Sequence, residues 1–83
     1  MLPGFEFSAH AQDMLQERHI LEEWVWRALS SPDRQEIDAS RNIHYIKAIP
    51  EHAGRFLRVI VNPTTGPKRI VTVFFDRRLR RQR

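Results

Sequence analysis

The feature that most limits the fold of this chain is a change of apolar period at Pro32. Before it, apolar residues recur at three- and four-residue spacing; after it, they alternate. Ser8 sits where a helix N-cap should be, its hydroxyl able to accept from a free N–H of the first turn. Ala11, Met14, Leu15 and Arg18 follow at helical spacing, which predicts a first helix over about residues 9–18. Leu21, Trp24, Val25, Ala28 and Leu29 make the apolar stripe of a second, over about residues 21–30. Glu22 and Glu23 suit the dipole of its first turn, and Ser30-Ser31-Pro32 stops it. Ahead of both, "GFEF" alternates enough for a short strand. Past Pro32 the predicted strands are Gln35–Ala39, Asn42–Ile49, Arg55–Asn62 and Arg69–Phe75, joined by the short Ser40–Arg41 and by loops at Pro50 to Gly54 and Pro63 to Pro67. Connections this short imply an antiparallel meander. The expected class is α+β, with two N-terminal helices packed on a four-stranded antiparallel sheet.

Strand parity divides the sheet into faces. Leu57, Val59 and Val61, with Val71, Val73 and Phe75, are expected under the helices together with Trp24, Val25 and Leu29. Phe56, Arg58 and Ile60, with Ile70, Thr72 and Phe74, fall on the opposite face, and Tyr45 and Lys47 are expected to join them. An apolar face set with an arginine, a lysine, a tyrosine and a threonine reads as a surface for a base-bearing ligand or a partner chain. A homodimer interface is the plainer alternative. Trp26 lies some 200° round its helix from Trp24 and is expected to be exposed, as a contact or resting on an arginine stem.

With 83 residues the chain is expected to form one domain, residues 1–76, followed by a basic tail, 77–83. It has no cysteine, which fits a reducing cytoplasm, and neither end carries an apolar run of signal-peptide or membrane-span length, so no membrane partner is expected. His10, His19, His44 and His52 are too scattered for a metal motif, and neither metal nor cofactor is expected. His19, His44 and His52 read as surface. Charge is unevenly placed: residues 1–24 carry a net of −4, residues 25–75 a net of +4, and residues 76–83 another +4 from five arginines and one aspartate. That asymmetry points to an anionic partner; a solubilising tail is the alternative.

"FSAHAQDMLQERHILEEWVWRALSSPD" resembles the opening of the domain-of-unknown-function family numbered 4258, and "FLRVIVN" with "RIVTVFF" is similar to its two closing strands. The resemblance spans about residues 5–75 and implies kinship with RelE-like toxins and other small ribonucleases of the barnase–colicin–RelE kind. By position, His10 matches the helix-one histidine, Arg18 the arginine of a Glu-Arg pair, and Arg58 and Thr72 the polar positions of the closing strands; Tyr45 sits near an aromatic position. The chain departs from the pattern at Met14, where arginine is frequent, at His19, where glycine stands, and at Leu21, where a small capping residue is usual. Without that glycine His19 must end the helix itself, in a left-handed conformation.

The resemblance implies a toxin-like, metal-independent ribonuclease, with a cognate antitoxin laid across the open face. Such cleavage needs a base, an acid and a cation to steady the phosphorane. His10 supplies the imidazole, Arg58 a two-pronged grip on phosphate, Tyr45 a stacking ring or weak acid, and Thr72 an orienting hydroxyl. Arg18, Lys47 and Arg69, with Arg77 and Arg78 of the tail, are the candidate RNA contacts. Simpler roles stand beside these: His10 as a solvated or capping residue, Tyr45 as packing, and Arg58 bridged to an acidic neighbour such as Glu36. His10 is on the helices and Arg58 points to the opposite face, so the two can meet only near a sheet edge. A non-catalytic module binding RNA or protein on the same fold is the alternative function.

Overall fold

The chain forms helices α1 (Ala9–Glu17) and α2 (Glu22–Ser30) and strands β1 (Phe5–Phe7), β2 (Arg34–Ile37), β3 (Ile43–Ile49), β4 (Arg55–Asn62) and β5 (Lys68–Phe75), with a 3-10 turn at Pro50–His52. The computed structural model describes residues 4–79. Strands β2 to β5 make the expected antiparallel meander, but the sheet has five strands in the order β1-β5-β4-β3-β2. Strand β1 lies parallel to β5, Phe5 to Phe7 against Lys68 to Ile70, so the four-stranded antiparallel expectation is corrected to a mixed sheet. Local spacing marks "GFEF" as a strand. It carries no information on a partner some sixty residues away in sequence, because only tertiary structure sets that pairing.

Ser8 joins β1, α1 and β5. Its side chain accepts from the Ala11 N–H at 3.0 Å, as an N-cap should, and donates to the Val71 carbonyl at 2.9 Å. Its own N–H donates to the Ile70 carbonyl. These bonds hold a β-bulge: Ile60 stands opposite Thr72 but Val61 opposite Ile70, leaving Val71 as the extra residue. The bulge inverts parity for the first part of β5. Ile70 is fully buried in the core and Val71 is half-buried, the reverse of the strict alternation expected.

Helix α1 ends, as expected of His19, in the left-handed conformation. His19 has φ 54°, its N–H points to the Gln16 carbonyl at 3.4 Å, and the Ile20 N–H reaches the Leu15 carbonyl at 2.9 Å. This is a Schellman ending with histidine in the left-handed position, and buried Ile20 packs beneath it. Helix α2 starts at Leu21 with no side-chain cap. It is fastened instead by Arg27, whose two terminal nitrogens bond both carboxylate oxygens of Glu51 at 2.9 Å.

The core lies between the helices and one face of the sheet, where Trp24, Val25, Ala28 and Leu29 meet Tyr45, Ile49, Leu57, Val59, Val61, Ile70 and Val73. Trp26 also packs against this cluster, half-buried, edge-on to Phe7 at 5.2 Å and donating to Glu22 Oε1 at 3.0 Å. It is not the exposed aromatic expected. Among the described residues no helix is long and apolar enough to cross a membrane.

Candidate functional site

The face of the sheet away from the helices is built from cross-strand rows. One row runs Arg34–Ile46–Arg58–Phe74 and the next Glu36–His44–Ile60–Thr72. Tyr45 and Lys47 are not in it. Tyr45 pairs with Val59 and Lys47 with Leu57, which places both on the helix side; Tyr45 is buried there and Lys47 sits 3.6 Å from Asp33. Their expected position is therefore corrected. In "IHYIKAI" both alternating sets are partly apolar, so parity alone does not choose a face.

Arg58 occupies the centre. Its side chain is 8% exposed, although no helix lies over it. Its Nε donates to Asp76 Oδ2 at 2.9 Å, and its Nη1 donates to Glu36 Oε1 at 3.2 Å and to His44 Nδ1 at 2.8 Å. A guanidinium only donates, so His44 Nδ1 accepts and the ring proton sits on Nε2, 2.8 Å from Asp38 Oδ2. Asp38 in turn accepts from the N–H groups of Ser40 and Asn42 in the β2–β3 turn. On the other side, Asp76 accepts from the Arg78 N–H and guanidinium. Six charged side chains of this network, Arg34, Arg58 and Arg78 against Glu36, Asp38 and Asp76, cancel.

The carboxyls feel it. The Arg78 hydrogen bonds, helped by Arg58, hold Asp76 down to about 2 against the opposing effect of burial. Arg58 lowers Glu36, with Arg34 helping, and His44 and two backbone N–H groups lower Asp38. Of the alternatives for Arg58, bridging to Glu36 is therefore the one found, with Asp76 as a second acid. Two of the three guanidinium nitrogens of this arginine, Nε and Nη1, are thus already engaged within the chain. His44 is half-buried and hydrogen-bonded through both nitrogens, and His52 stacks on Phe75 at 4.2 Å, so neither is the surface histidine expected.

His10 does reach the open face, at the sheet edge. Strand β1 covers β5 only as far as Ile70, and beyond the bulge the start of α1 lies against β5. There His10 Nε2 lies 3.1 Å from Thr72 Oγ1. The four candidate catalytic residues thus separate into three places: His10 with Thr72 at the β5 edge, Arg58 in its ion network leaning toward β2, and Tyr45 in the core. Among the candidate RNA contacts, Arg18 is exposed at the end of α1 and Arg69 is 3.9 Å from Glu6. Arg77 is exposed past β5, while Arg78 folds back on Asp76. Of the tail, Arg80 to Arg83 lie outside the described residues.

Sequence reading missed His44, Asp38 and Asp76 as network members. Asp76 offered one signal, a lone acid between an apolar strand and a run of arginines. Among the described residues no group of three or more His, Asp or Glu side chains could hold a metal ion.

Fold and site together define a small α+β domain with an open sheet face whose centre is covered by its own charged side chains. A family model described as Domain of unknown function (DUF4258) matches residues 7–75, and the chain belongs to that family. No curated protein and no solved structure matches it.

Proposed function

We propose that the chain is a non-catalytic RNA-binding module on a RelE-like plan, acting in the cytoplasm. The supporting observation is how its cations divide. Arg27, Arg34, Lys47, Arg58, Arg69 and Arg78 lie in ion pairs, whereas Arg18, Arg41, Arg55, Lys68 and Arg77 pair with no carboxylate of the described residues. Positive charge is left over at the periphery, where a phosphate backbone meets it, and is spent internally at the centre, where catalysis would need it. Fluorescence anisotropy of a labelled single-stranded RNA over a salt series is the test. Binding should weaken with salt, log K falling by about 0.7 per phosphate engaged for each decade of salt, and the RNA should stay intact. Absence of binding at low salt would overturn the module.

The contact between His10 and Thr72 favours one alternative, a toxin-like ribonuclease working at the β5 edge. In that case the parent protein cleaves RNA, and His10→Ala slows cleavage by roughly 100-fold or more. Intact RNA with the parent on every substrate excludes it.

A further inference from the structure

A cleft at the far end of the sheet is lined by Ala53, Gly54, Arg55, Phe75, Arg77 and Leu79, with Asp76 between them. The chain enters it through two left-handed residues, Ala53 at φ 57° and Gly54 at φ 70°, which turn the 3-10 segment back into β4. Leu57 pairs with Phe75, and the Asp76 N–H donates to the Phe56 carbonyl at 2.9 Å. The ladder ends there: residues 76–79 form a turn, closed by the Leu79 N–H donating to the Asp76 carbonyl at 3.2 Å, and both Arg55 and Arg77 line the cleft beside it. Like charges brought to one small cleft repel one another unless something neutralises them. Both are exposed, and neither has a carboxylate partner among the described residues. Asp76 does not neutralise them, since its two oxygens are taken by Arg58 and Arg78. Beside the two guanidinium groups stand apolar walls: half-buried Phe75, braced by its stack on His52 and by Trp24 edge-on at 5.9 Å, and half-buried Leu79.

We propose that this cleft binds one nucleotide unit, its phosphate bridging Arg55 and Arg77 and its base lying against Phe75 and Leu79. Two guanidinium groups provide the paired donors that a phosphate accepts, and a braced aromatic edge provides a wall for a planar base. The inference rests on the RNA-binding reading and gives it a location.

The probe is adenosine 5′-monophosphate, titrated into the full chain and followed by backbone amide NMR, with adenosine and inorganic phosphate as separate arms. Adenosine 5′-monophosphate should shift the amides of residues 53–55 and 75–79, and Arg55→Gln or Arg77→Gln should weaken it by roughly tenfold or more. Adenosine alone should bind far more weakly, for want of the phosphate. Thermal melting of Arg55→Gln should hold or rise, because a repulsion is removed; a residue needed only for structure would lower it. Unmoved cleft amides, or unchanged affinity in both variants, overturn the site. Inorganic phosphate binding as tightly as the nucleotide overturns the assignment of a base-binding wall. The two readings fail separately: if RNA binds the parent and Arg55→Gln equally, the cleft is wrong and the module stands. If the nucleotide occupies the cleft but longer RNA binds no better, the module is wrong and the cleft stands.

Discussion

Val59 and Arg58 are neighbours on β4 and face opposite ways. Val59 is sealed beneath the helices by Trp24, Val25 and their neighbours. Arg58 has no helix above it, yet it is 7% exposed, and Ile46 beside it in the same cross-strand row is 0% exposed. One face is dry because a second layer covers it. The centre of the other, at Ile46 and Arg58, is dry because long charged side chains lie over their own sheet and neutralise one another. A face that is apolar with a few charges need not be waiting for a partner; those charges can be its cover. The two faces should therefore fail differently, the first through cavities and the second through uncompensated charge.

The largest effect belongs to the helix side. Leu57→Ala opens a cavity at a fully buried position and should cost about 3 kcal/mol, read from urea unfolding at neutral pH. A loss under about 1 kcal/mol would mean that this face repacks freely. Arg58→Ala should come next, at about 2 kcal/mol, below the usual cost of breaking a buried ion pair because Arg78 still holds Asp76. Arg58→Met restores bulk over Ile46 without charge and should recover part of the loss. Equal damage from both Arg58 variants would show that charge, not cover, is what the open face needs.

Acid should separate the faces further. Asp76 has its carboxyl held at about 2, below its ordinary 3.8. A depressed carboxyl contributes stability that is fully present above the ordinary value and is lost as pH falls through about 2. Glu36 and Asp38, lowered on the same face, act with the same sign. Unfolding free energy measured from pH 5 to pH 2 should fall steeply in the parent and less steeply in Asp76→Asn. Part of the slope remains, since Glu51 on Arg27 is also held at about 2. Leu57→Ala should shift the whole curve without changing its shape. A parallel curve for Asp76→Asn would remove the open-face network as a source of acid sensitivity.

Those two faces were unequally legible in the sequence. Helix-side burial followed from apolar spacing: Trp24, Val25, Leu29, Val59, Val61 and Val73 are all buried. It failed at Val71, because period-two reading assumes an unbroken ladder and a bulge adds one residue. On the open face, Arg58 and Thr72 were placed correctly by parity. The partners of Arg58 were largely hidden, because they come from β2, β3 and the segment after β5, and no spacing along the chain records which strands neighbour one another. Only Glu36 was a foreseeable neighbour. His10 shows the intermediate case: an edge was the place where it could have met Arg58, but it meets Thr72 there instead, and the bulge and the Ser8 bonds that produce this contact have no local signature.

The smallest effect lies at His19, outside both faces, and tests what a left-handed histidine costs at a helix end. At φ 54° its Cβ crowds the neighbouring backbone, a strain that glycine lacks. Glycine also loses more conformational freedom on folding, which offsets part of the relief. The net gain for His19→Gly should be about 0.5–1 kcal/mol, since a left-handed helix ending favours glycine by more than its chain entropy opposes it. In a domain of this size that raises Tm by roughly 2–6 °C. His19 is exposed and makes no side-chain hydrogen bond among the described residues, so nothing else is lost with the imidazole. RNA affinity should not change, because the site at φ 54° touches neither the open face nor the Arg55–Arg77 cleft. A lower Tm would mean that the histidine ring makes contacts worth more than the strain. A Tm gain with weakened RNA binding would place the end of α1, and Arg18 beside it, on the binding surface.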